Sequence, residues 1–164
     1  GIRCAPLYVT KIEDSHGNVL AKFQPLMTEV ISSASANQML EMLMAVVNGG
    51  TASRLHRYLN YTGDIGGKTG TTNNNSDGWF LGITPELVNG CWVGGEDRDI
   101  RFESTALGQG ASTALPVWAY YMQLVYADKR LGYHPSAKFN LPPNFNPCAV
   151  ADTLSINGIQ EEFF

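Results

Sequence analysis

Residues 65–94 read IGGKTGTTNNNSDGWFLGITPELVNGCWVG, and the period of this stretch decides the architecture. Ile65–Thr72, Gly78–Ile83 and Leu87–Val93 have the look of short strands. They are separated by Asn73-Asn74-Asn75-Ser76-Asp77 and by Thr84-Pro85-Glu86. Amide-rich segments and a proline at such positions mark turns. Strands joined by links too short for a crossover run antiparallel. The stretch therefore predicts a three-stranded antiparallel meander.

Upstream, SASANQMLEMLMAVV at 33–47 carries apolar residues at 39, 42, 43, 46 and 47, with a serine before it and Gly49-Gly50 after it. That spacing is helical, and the flanks are start and stop signals. Residues 7–23, LYVTKIEDSHGNVLAKF, centre on the turn residues Asp14 to Asn18 and predict a β-hairpin. Residues 51–61 continue as a short helix or an ordered loop. Downstream, 96–111 reads as loop. Ser112 or Thr113 then caps a helix with Pro116 in its first turn, where a missing N–H costs least. Val117, Trp118, Tyr121, Leu124 and Val125 make its expected apolar face. The fold class is α+β, an antiparallel sheet packed by two helices. Residues 1–132 form the folded unit, and 133–164, with Pro135, Pro142, Pro143 and Pro147, form an extended tail.

Composition narrows the function classes. The net charge of −4 gives nucleic acid no cationic surface to bind, so no nucleic-acid partner is expected. The longest near-apolar run, 115–127, falls short of the roughly 20 residues that a bilayer span needs. Cys4, Cys91 and Cys148 form no C-x-x-C pair and no metal-ligand spacing, and Cys91 reads as a small core residue. No metal or cofactor is expected. The chain opens at Gly1 without a methionine and with no signal-like segment, which suggests a piece of a longer protein. The acidic clusters Glu96-Asp97-Asp99 and Glu161-Glu162 read as solvated surface.

The chemistry concentrates at Lys68-Thr69-Gly70-Thr71-Thr72. A phosphate-binding loop is excluded: G-x-x-x-x-G-K-[ST] would need glycine at position 62, which is threonine, and a helix rather than a strand afterwards. A strand edge fits better. Glycines at 66, 67 and 70 open the backbone to close approach. Alternation sets Lys68 and Gly70 on one face and Thr69 and Thr71 on the other. Lysine charge, threonine hydroxyls and bare backbone N–H groups together suit a carboxylate or a developing oxyanion. Glycines that merely relieve packing around a solvated lysine remain the alternative. His16, His56 and His134 read as surface residues, and no Ser-His-Asp arrangement follows from their spacing.

GGKTGTTNNNSDGWFLGITPELVNGCWVGG resembles the C-terminal part of the transpeptidase domain of class A, bifunctional penicillin-binding proteins. IRCAPLYVTKIEDSHGNVL and GQGASTALPVWAYYM extend the likeness less strongly in both directions. The resemblance implies that Lys68 serves the proton network and attracts the terminal carboxylate of a D-alanyl-D-alanine stem peptide. Thr69 and Thr71 would bind that carboxylate within a rim that includes Gly70 and Thr72. The Thr71 N–H would be one of two oxyanion donors, a role that typically supports a rate factor of about 10²–10³. The implied fold is a partial penicillin-binding-protein/β-lactamase-like transpeptidase fold. The implied setting is periplasmic or extracytoplasmic, with the parent anchored to the inner membrane. β-Lactams would be ligands of the intact domain.

One departure matters. The family's nucleophile lies in S-x-x-K. Three residues before the lysines stand Tyr8, Val19, Ile65, Tyr126 and Pro135, so the chain holds no such motif. Ser35-Ala36-Asn37 matches S-x-N nominally but lies at a helix start, where capping explains it, and Ser155-Ile156-Asn157 falls on the wrong side of Lys68. The expectation is a site whose other half lies elsewhere, inactive alone and prone to self-associate. A D,D-carboxypeptidase or serine β-lactamase segment, or a non-catalytic peptide-binding scaffold, are the alternatives.

Overall fold

The computed structural model describes residues 1–142. Four short strands open the chain: β1 (Ile2–Cys4), β2 (Lys11–Glu13), β3 (Val19–Lys22) and β4 (Met27–Glu29). β2 and β3 form the expected hairpin, closed by Gly17 at φ 83° and by the Asp14 carboxylate, which accepts from the His16 and Asn18 N–H groups. β1 and β4 pair antiparallel and bracket it. Neither bracket strand was legible in the sequence, because three residues are too few to display a period.

Helix α1 (Ser33–Asn48) begins where Ser32 accepts the Ser35 N–H at 3.2 Å. Ser35 thus lies in the first turn, at the helix start as expected, but it is Ser32 and not Ser35 that supplies the cap. Of its expected apolar residues, Val47 is fully buried and Leu43 and Val46 are half-buried, whereas Met39 and Met42 face outward. A single helical turn, α2 (Leu55–Tyr58), follows.

The meander forms as read, from β5 (Gly66–Thr71), β6 (Asp77–Ile83) and β7 (Val88–Gly94), in the order β5-β6-β7. Asn74 and Asn75 hold positive φ in the β5–β6 link, a conformation that asparagine tolerates better than most residues. Thr84 closes the β6–β7 turn: its N–H donates to Leu87 O, and its hydroxyl accepts from the Leu87 N–H.

The register fixes two faces. Thr69, Phe80 and Cys91 lie in one row, and Thr71, Gly78 and Val93 in the next. This inner face carries Phe80, fully buried, against the indole of Trp118, with ring centroids 5.2 Å apart at 79°. Cys91 is half-buried there, and burial pushes its thiol pKa up. The outer face carries Lys68, Leu81 and Gly90 in one row and Gly70, Trp79 and Trp92 in the next. Trp79, Leu81 and Trp92 are all about half exposed.

The segment 96–127 departs from the sequence reading in three respects. Within the expected loop, a helical turn α3 forms at Thr105–Gly108. Helix α4 (Ala114–Ala127) then starts without a hydroxyl cap. Thr113 donates to Gln109 O and Ser112 to Ala106 O, so both hydroxyls serve the α3–α4 connection instead. The buried face of α4 is Ala114, Leu115, Trp118, Ala119, Met122 and Val125; Val117, Tyr121 and Leu124 are exposed. The helix is apolar nearly all round, so its own sequence does not choose a face. The inner surface of the sheet chooses it.

Residues 133–142 run back over the start of β5. Thr62 and Gly63 N–H groups donate to Pro135 O, and Asp64 accepts from Lys138 Nζ and the Phe139 N–H, each at 2.9 Å. The remainder of the expected tail, with Cys148, Ser155-Ile156-Asn157 and Glu161-Glu162, lies outside the described residues. Among the described residues no helix is long and apolar enough to cross a membrane.

Candidate active-site rim

β5 is an edge strand, and its ladder has a direction. The Thr72 N–H donates to Asp77 O, across toward β6. Backbone polar groups of an antiparallel strand alternate sides residue by residue. Gly70 and Lys68 therefore also bond inward, and the N–H and C=O groups of Thr69 and Thr71 point to the free edge. The Lys68 side chain reaches round to that edge, where its ammonium donates to Thr69 O at 2.7 Å. Lys68 is exposed and forms no ion pair with any of the described residues.

The threonines are held from the inner face. Thr69 Oγ1 lies 2.9 Å from Thr51 Oγ1. Thr71 Oγ1 accepts the Gly110 N–H at 3.1 Å. That bond occupies a lone pair and leaves the Thr71 hydroxyl proton free to donate outward. Gly110 reaches Thr71 because it lacks a side chain: a Cβ there would collide with Gly70 O and Trp79 O. Neither Thr51 nor Gly110 was a sequence candidate, since each contributes through contacts made by distant parts of the chain.

Thr72 turns away from the rim. Its hydroxyl donates to Asp77 Oδ2 at 3.0 Å and accepts the Asp77 N–H at 2.9 Å. Asp77 also accepts from Ser76 Oγ at 2.9 Å and from Trp92 Nε1 at 3.0 Å. These bonds, Ser76 first, then Trp92 and Thr72, hold its carboxyl below the usual value, with Arg98 adding a smaller effect. Thr72 thus belongs to the brace that ends β5.

The rim is an open ledge. A cavity of about 720 Å³ lies elsewhere, beside Tyr58, Tyr61, Gln123 and Tyr126. The histidines are away from the rim: His56 stacks on Tyr61, His134 faces Glu86, and His16 sits in the β2–β3 turn. The ledge can attract an anion with Lys68 and offer N–H and O–H donors to its oxygens. Among the described residues the rim is not joined by any nucleophile–base pair.

Residues 1–94 match the family described as the penicillin binding protein transpeptidase domain. The chain is 36% identical over 155 residues to penicillin-binding protein 1A of Aquifex aeolicus, covering 90% of this chain and 19% of that protein. It is 37% identical over 131 residues to penicillin-binding protein 1A of Neisseria lactamica, covering 75% and 15%. The crystal structure of penicillin-binding protein 1A from Haemophilus influenzae superposes with a TM-score of 0.66 at 26% identity, covering 85% of this chain and 25% of that one. The chain thus spans about a fifth of the length of the curated relatives it matches. With β5, its lysine and the following strands all inside the matched segment, the chain belongs to the penicillin-binding protein transpeptidase domain family.

Proposed function

We propose that this chain is the rim-bearing C-terminal part of a peptidoglycan D,D-transpeptidase of the bifunctional type. The observation that carries the proposal is the free edge of β5. An ammonium with no ion pair among the described residues, an outward N–H of Thr71 and a hydroxyl pre-oriented by Gly110 converge there. A stem peptide ending in D-alanyl-D-alanine would lay its carboxylate against Lys68, Thr69 and Thr71, beside Gly70, and present its scissile carbonyl to the Thr71 N–H. The chain has no S-x-x-K motif, so the serine comes from a part of the protein outside it.

The reaction is acyl transfer in two steps. Serine Oγ bonds to the carbonyl carbon and loses its proton to a base. The C–N bond breaks, and D-alanine leaves with a proton on its amine. An amine of a second stem then attacks the ester carbonyl and regenerates the serine. Lys68 and the Thr71 N–H would favour the tetrahedral oxyanion states over the substrate. β-Lactams would trap the same serine. The setting is extracytoplasmic, with the parent held to the membrane by a segment outside this chain.

Labelled penicillin tests this reading. The full-length protein should label covalently, the Lys68→Ala form should not, and this chain alone should not. Labelling of the chain alone would refute the missing nucleophile. An unlabelled full-length protein would favour a non-catalytic scaffold. Conversion of a D-alanyl-D-alanine donor with water alone, even with an acceptor amine present, would favour a carboxypeptidase.

A further inference from the structure

Arg54 stands at the rim with its charge uncommitted. It ends the turn that opens with Thr51, whose hydroxyl touches Thr69. Its Nη1 donates to Ser112 Oγ at 2.9 Å, two residues beyond the Gly110 that binds Thr71. The Ser112 hydroxyl spends its own proton on Ala106 O at 2.8 Å, so toward Arg54 it acts as an acceptor. The guanidinium therefore bridges two turns that each grip one of the rim threonines. It lies on the inner-face side of β5, opposite the side from which Lys68 arrives.

This bond uses one of the five guanidinium N–H donors. Arg54 is exposed and forms no ion pair with a carboxylate among the described residues. A lone surface arginine is usually just solvated. This one is held at a serine, and the hydroxyls beside it are pre-oriented rather than mobile. Guanidinium presents paired N–H donors in the plane that a carboxylate prefers, whereas ammonium acts as a point charge.

We infer that Arg54 is a second carboxylate-binding residue of the rim, gripping a substrate or β-lactam carboxylate from the Thr69/Thr71 side while Lys68 attracts it from the other. The inference rests on the transpeptidase reading above and adds a residue that the lysine motif does not contain. Two cations flanking one edge give selectivity for ligands that end in a free carboxylate. Arg54 touches ligand only through that carboxylate and takes no part in proton transfer.

The test uses the full-length protein and second-order acylation by benzylpenicillin and by its methyl ester. Arg54→Gln should slow acylation by the free acid about tenfold, the size of losing one charge-assisted contact. It should leave the ester rate within about twofold, and Arg54→Lys should recover part of the loss. Added salt should slow the wild type more than Arg54→Gln, because screening acts on the charge that was removed. Equal slowing toward acid and ester would reduce Arg54 to a structural tie and overturn the inference. So would unchanged rates toward both. A wild-type protein that neither compound acylates would remove the transpeptidase reading and this inference with it, which separates the two failures.

Discussion

Gly82 lies directly beneath the indole of Trp118, and a Cβ on Gly82 would collide with that ring. The ring is fully buried, flanked by Phe80 and bonded through Nε1 to Asn89 Oδ1. This contact seats α4 on the inner face of the sheet. Gly82→Ala should therefore destabilise by about 1–3 kcal/mol, the usual cost of overpacking. Gly49→Ala, with nothing within 4 Å of its Cβ, should change stability far less. Urea unfolding of the two variants, compared by midpoint, checks the contrast.

Asn89 should matter through its amide oxygen. Asn89→Leu leaves the Trp118 N–H without its acceptor in a buried place, which costs about 1–3 kcal/mol. In a Trp118→Phe background, where the ring has no N–H to leave unpaired, the same Asn89→Leu change should cost less. A double-mutant cycle by urea unfolding reads the coupling; strict additivity would show that the bond contributes nothing.

At the rim, Gly110→Ala should lower penicillin acylation of the full-length protein by about tenfold or more, by shifting the donor that orients Thr71. Thr71→Val removes the same hydroxyl directly. If Gly110 acts through Thr71, the double variant should acylate no more slowly than the worse single one.

Asp77 links rim stability to pH. Its carboxyl is held below the ordinary 3.8, first by Ser76 and then by Trp92 and Thr72. Its contribution is thus present above the unfolded value and is lost as pH falls through the lower folded one. Asp77→Asn should destabilise at neutral pH and flatten the loss of stability between pH 5 and the acid limit, roughly as linkage requires. The gap between wild-type and Asp77→Asn unfolding midpoints should be wide at pH 7 and narrow as the pH is lowered; a gap of equal size at both ends would show that another group dominates.

The outer face of the sheet should drive self-association of the chain when isolated. Trp79, Leu81 and Trp92 form an exposed apolar strip, and among the described residues β7 leaves a free edge beside it. Sedimentation should find dimers or larger species at high concentration, and Trp79→Ser with Leu81→Ser should shift the chain toward monomer. A wild-type monomer at every concentration would contradict this.

Much of the architecture follows from period and punctuation alone. The meander is legible because Asn73–Asp77 and Thr84–Glu86 are turn sequences between strands of contrasting faces. The α1 start is legible because a serine precedes a helical apolar spacing. Lys68 with its glycines is legible because strand alternation and small residues are local properties.

Other features needed the tertiary structure, for one physical reason: they depend on contacts between residues far apart in sequence. Which stripe of α4 is buried was settled by Gly82 and Phe80, not by the helix, whose apolar residues surround it. The same holds for Thr51, Arg54, Gly110 and Ser112, brought to β5 from two separate turns. A three-residue strand such as β1 shows no period of its own and exists because β4 pairs with it. Local sequence chose the elements and placed the lysine; packing across the sheet chose their faces and supplied the groups that hold the threonines.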